Sequence, residues 1–163
     1  MPFKFIKKLF RSEKEAMGAP KGPVKVGMKS IDYPPKILIA WAKAVEGNQE
    51  FLDFLKFNGY EELNTACAAI KLNDKARTWL MENGYPHLLA FIQAAESNKK
   101  ALHWLENNGF ELLSKMARAI DAEREALDWL KKTQPVDIVV LTLVIKKVKD
   151  DIEDYNNDVH VYK

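Results

Sequence analysis

The chain has 163 residues, 47% hydrophobic and 29% charged, with a formal net charge of +2; this excludes disorder along its whole length and suits one domain with a core of ordinary size. The charge is uneven: residues 1–30 carry eight Lys or Arg against Glu13 and Glu15, leaving 17 basic and 21 acidic residues in the remainder. The single Cys67 excludes an internal disulfide and fits a reducing compartment, so the expected location is cytoplasmic, with peripheral membrane association left open.

Residues 3–11 separate cleanly on a helical wheel, with Phe3, Phe5, Ile6, Leu9 and Phe10 on one side and Lys4, Lys7, Lys8 and Arg11 on the other. Nine residues cannot hold a helix in water alone, so the apolar face needs cover. An anionic membrane surface, a partner's groove or the chain's own helices would supply it. The candidate contacts for a partner or membrane are therefore Phe3, Lys4, Ile6, Lys7, Lys8, Phe10 and Arg11. The segment has no continuous apolar stretch of the kind a secretory signal needs. From Met17 to Pro35 the breakers Gly18, Pro20, Gly22, Pro23, Gly27, Pro34 and Pro35 predict a linker, so residues 1–35 read as a basic arm and linker.

A 25-residue period begins at Lys36. Leu38, Leu63, Leu88, Leu113 and Ile138 share one position, followed by Trp41, Ala66, Phe91, Met116 and Leu141, then by Ala44, Ala69, Ala94, Ala119 and Val144. Val45, Ile70, Ala95, Ile120 and Ile145 complete an i, i+3, i+6, i+7 stripe, which predicts a first helix in every repeat. After a polar break containing Asn48, Asn73 or Asn98, each a suitable N-cap, a second helix carries Phe51, Phe54 and Leu55; Ala76, Trp79 and Leu80; Ala101, Trp104 and Leu105; or Ala126, Trp129 and Leu130. We assign Phe54, Trp79, Trp104 and Trp129 to the repeat core. Asn-Gly-aromatic then ends the second helix, with Gly59, Gly84 and Gly109 as left-handed caps.

The last round is different. Thr133-Gln134-Pro135 stops the preceding helix, and one longer helix is expected from about Val136 to Asp154, capping the stack with Lys146, Lys147, Lys149, Asp150 and Glu153 outward. Its run from Val136 to Ile145 is about half the length needed to cross hydrocarbon, so no transmembrane segment is expected. The repeat domain covers residues 36–155, and residues 156–163 read as a loose polar tail.

Catalytic and cofactor signatures are missing. His87, His103, His160 and Cys67 fall in no metal-ligand spacing, and there is no phosphate loop, nucleophile elbow or zinc-protease motif. No catalytic residue, cofactor or metal is assigned. The fold class is all-α: a short right-handed α-solenoid of antiparallel helix pairs, with about nine helices in the repeat body. In architecture it resembles the HEAT and ankyrin solenoids, although its period is shorter and the ankyrin Thr-Pro-Leu-His signature is missing; the resemblance transfers no functional residue. The expected function is a non-catalytic scaffold or adaptor that binds another protein. The alternatives are a nucleic-acid-binding repeat module, which needs Lys99, Lys100, Lys115 and Arg118 to converge with the linker lysines, and membrane association through residues 3–11.

Overall fold

A computed structural model describes residues 32–161, with side chains through residue 158; the amphipathic segment 3–11 and the Pro/Gly-rich linker up to residue 31 lie outside the described residues. Nine α-helices occupy the described chain: α1 Pro35–Val45, α2 Gln49–Phe57, α3 Glu61–Ile70, α4 Asp74–Glu82, α5 Pro86–Ala95, α6 Lys99–Asn107, α7 Glu111–Ile120, α8 Arg124–Thr133 and α9 Val136–Val161.

Local chemistry sets these boundaries. Asn48, Asn73 and Asn98 precede α2, α4 and α6, and each side chain accepts a hydrogen bond from a first-turn amide. At the other end, Gly59, Gly84 and Gly109 have φ of 88°, 87° and 80°. The amides of Tyr60, Tyr85 and Phe110 donate back to the carbonyls of Leu55, Leu80 and Leu105 at 3.0, 2.8 and 2.9 Å, closing a six-residue Schellman loop. The Asn before each glycine adds a further bond: Asn58, Asn83 and Asn108 donate Nδ2 to the carbonyls of Phe54, Trp79 and Trp104. Pro135 lacks an amide and ends α8 instead, with Thr133 Oγ1 donating to the Trp129 carbonyl.

Consecutive helices pair antiparallel across these short turns, as in α3–α4, α5–α6 and α7–α8. The odd-numbered helices also pack on one another: α1 on α3, α3 on α5, α5 on α7, α7 on α9, and α9 back on α1. They form a closed inner ring, with α2, α4, α6 and α8 outside it. Burial follows this division. The inner stripe is almost wholly sealed, with Leu38, Leu63, Leu88, Leu113 and Ile138 at 5% exposure or less, whereas α4, α6 and α8 each bury only an Ala and a Leu. Trp41, Phe91, Met116 and Leu141 share one inner position with the small Ala66, so bulk varies from helix to helix while the ring remains filled.

Three expectations about α9 are corrected. It does not cap one end of an open stack; it bridges the last pair and the first helix, because Ile138, Leu141, Thr142 and Ile145 give it a stripe wide enough for α7 and α1 together. Residues 156–161 are helical rather than loose, since no Gly or Pro follows Pro135 to stop the helix. Lys149 points inward. It lies one turn beyond Ile145 on the buried stripe, where its aliphatic stem packs and only its ammonium needs polar partners.

Candidate functional site

The two ends of the inner ring differ in chemistry. At the N-terminal ends of the inner helices, Glu62, His87 and Asp137 occupy equivalent places one or two repeats apart, and all are buried. The Tyr33 hydroxyl donates to Glu62 Oε1 at 2.8 Å. Burial raises the Glu62 carboxyl above the usual carboxylate range, and burial followed by the Glu62 charge raises the Tyr33 phenol further still. Tyr33 meets Tyr60 edge-on at 6.1 Å, and His87 lies flat on Phe110 at 5.4 Å while tilting toward Tyr85 at 6.3 Å. His87 Nδ1 is buried and makes no hydrogen bond among the described residues, and burial lowers the imidazole to about 4, so the ring is neutral. Stacked aromatic rings fill this end.

The C-terminal ends of the inner helices are open. Here α9 outruns its neighbours and crosses the mouth of the ring, leaving a groove of about 510 Å³ beside it. The residues that leave α3, α5 and α7 form one wall and the Lys149–Asn157 stretch of α9 forms the other. Leu72, Ala95, Ile120, Ala122 and Ile152 supply apolar surface. Around them stand the carboxylates of Glu96, Asp121, Asp150 and Glu153 against the ammonium of Lys149.

One charge network fixes this mouth. Glu96 terminates α5, and its carboxylate receives Arg77 Nη2 from α4 at 2.7 Å and Lys149 Nζ from α9 at 2.6 Å. Both cations also cap α3: Arg77 donates to the Ala69 carbonyl at 3.0 and 3.2 Å, and Lys149 to the Ile70 carbonyl at 3.1 Å. Positive groups at a helix C-terminus satisfy free carbonyls and favour the dipole, so the C-terminal ends of α3 and α5 are tied to α4 and α9 at one point. Nearby, Ser97 Oγ donates to Asp121 Oδ1 at 2.6 Å, joining the ends of α5 and α7. Glu153 and Asn157 remain exposed on the facing wall.

Glu96 and Lys149 carry no motif, and sequence reasoning missed both as site residues. A signal existed in the repeat column Glu46, Lys71, Glu96 and Asp121, where a charged residue follows each of the first four inner helices. Among the expected core residues, Phe54 is buried, while Trp79, Trp104 and Trp129 are partly buried and pack against the core from its edge. Trp79 stacks on Tyr85 at 5.9 Å and Trp104 on Phe110 at 5.7 Å, each pairing with the aromatic residue of its own cap. The basic residues of the nucleic-acid alternative are partly engaged: Arg118 pairs with Glu106 and Glu123, and Lys115 lies over the Trp129 ring at 5.7 Å. Burial pushes the Cys67 thiol up to about 12, so it is held protonated.

Among the described residues, no group of three or more His, Cys, Asp or Glu side chains is placed to hold a metal ion, and no helix is long and apolar enough to cross a membrane. The mouth presents an apolar floor under a rim rich in carboxylates. No family model, curated protein or solved structure matches this chain.

Proposed function

We propose that the chain is a cytoplasmic protein-interaction module, a right-handed HEAT-like array of 25-residue units, whose groove beside α9 takes a basic amphipathic segment of another protein. The carrying observation is the composition of that groove, where four carboxylates face one lysine above Leu72, Ile120 and Ile152. A helix or extended segment bearing Lys or Arg along one edge and apolar side chains along the other would satisfy both surfaces. Glu96 is already paired with Lys149 and Asp150 with Lys146, so Asp121 and Glu153 are assigned the charge recognition. The expected contribution is a salt-sensitive association rate as well as affinity, because these carboxylates sit at the rim.

The test is photo-crosslinking from a probe residue introduced at Asn156, in nuclease-treated lysate cleared of membranes. A discrete crosslinked protein should disappear in the Asp121→Lys/Glu153→Lys chain, and its mapped peptide should be basic and amphipathic. A product that survives both reversals, or one that requires nucleic acid or membrane, contradicts the reading.

A further inference from the structure

The ring has five inner helices and, among the described residues, four outer ones. Each outer helix lies across a junction: α2 packs on α1 and α3, α4 on α3 and α5, α6 on α5 and α7, and α8 on α7 and α9. The fifth junction, between α9 and α1, has no such cover among the described residues. On α9 this leaves Val136, Val140 and Leu143 exposed at 75%, 37% and 40%, spaced i, i+4, i+7 on one stripe. Two repeats earlier the same positions are Pro86, Ala90 and Gln93, which line a cleft with Ala101 and Trp104 of the outer helix α6. That face of an inner helix is therefore the one an outer helix covers.

The chain carries a segment patterned like an outer helix. Residues 3–11 number nine, the length of α2, α4 and α6. Ile6, Leu9 and Phe10 repeat the i, i+3, i+4 apolar spacing of Phe51, Phe54 and Leu55 in α2 and of Ala101, Trp104 and Leu105 in α6. Lys4, Lys7, Lys8 and Arg11 occupy the opposite side, as the polar residues of an outer helix must. The connecting residues 12–31 lead to α1, itself one wall of the uncovered junction. About 20 residues span up to about 66 Å when extended, several times the roughly 16 Å length of an inner helix, so the linker sets no obstacle to either direction of docking.

We propose that residues 3–11 dock in cis as the fifth outer helix, with Ile6, Leu9 and Phe10 on the stripe of Val136, Val140 and Leu143. Docking completes the outer layer and satisfies the apolar face of a helix too short to persist alone. It also makes the arm and the α9–α1 junction one element: whatever displaces the arm exposes both surfaces together.

The experiment uses the full chain carrying Cys67→Ala and Ser12→Cys, with a nitroxide on the new thiol and isotope-labelled backbone amides. The expected result is loss of signal at Val140, Leu143 and Lys147 on α9 and at Ile39 and Lys43 on α1, unchanged on dilution. Leu9→Glu/Phe10→Glu, which alters only the arm, should restore those signals, as should Leu143→Asp at a site already exposed. Signal loss that appears only when labelled and unlabelled copies are mixed would assign the stripe to a second molecule and overturn the proposal. Full signal at all five amides would also overturn it, and a change in the arm resonances on adding phosphatidylserine vesicles would then assign the arm to a membrane surface.

Discussion

Single residues govern how each turn closes, and the two kinds of turn differ in cost. After the outer helices the left-handed position is held by Gly59, Gly84 and Gly109, but after the inner helices α3, α5 and α7 it falls on Leu72, Ser97 and Ala122, with φ of 70°, 68° and 73°. A side chain in that region costs roughly 1–2 kcal/mol, offset in part by the backbone freedom that glycine would restore to the unfolded chain. Gly84→Ala should therefore lose about 1 kcal/mol and Ala122→Gly should gain up to about 1 kcal/mol, both measured by urea unfolding. Loss of stability in Ala122→Gly would contradict the strain. His87 adds a pH dependence. Its folded value of about 4 lies below the ordinary value of 6.5, so between those limits the unfolded chain binds a proton that the folded chain refuses. Stability should fall as pH drops from 6.5 to 4, by about 3 kcal/mol at most, and His87→Phe should flatten that limb. Glu62 acts in the opposite sense: its raised carboxyl favours the folded state at low pH, and that contribution is lost as pH rises through the folded value. An acid limb unchanged by His87→Phe would mean that the imidazole charges freely in place.

At the scale of the helix, much was legible because one physical rule was repeated. The i, i+3, i+6, i+7 stripe, the Asn N-caps and the Asn-Gly ends can be read from side-chain chemistry within ten residues, and the helices begin and end beside those residues. Lys149 was not legible. A lysine on an apolar stripe reads as a solvated charge until the neighbouring helix ends are known, and its partners Ile70 and Glu96 lie 79 and 53 residues away. The half-exposed Trp side chains show the same limit, since their spacing selects a face but not how deeply that face is covered. The network makes a specific prediction. Glu96→Ala leaves Arg77 and Lys149 facing each other without their shared anion and should cost about 3 kcal/mol, whereas Lys149→Met keeps the Arg77–Glu96 pair and should cost about 1 kcal/mol. Chemical denaturation at pH 7 measures both, and equal small losses would show that the pairing is incidental to the mouth.

For the whole molecule, closure is the property from which the others follow. A repeated apolar stripe fixes what each helix buries but not the rotation between helix pairs, so the sequence alone does not distinguish an open array from a ring; that depends on the small angle accumulated at every inner-helix contact. The return of α9 onto α1 creates the groove at one mouth, because α9 must run past its neighbours there, and creates a fifth junction that no outer helix covers among the described residues. Closure also couples the ends of the chain. In an open array, weakening the last helix loosens only the unit beside it, whereas in a ring it loosens the first helix as well. The direct measurement is native-state amide hydrogen exchange on an Ile145→Ala chain, whose shortened side chain should cost about 2–4 kcal/mol of local packing. Closure predicts that amides of α1 and α7 lose protection together with α9, while those of α3 and α5 are less affected. Loss confined to α7, α8 and α9, with α1 unchanged, would contradict the ring.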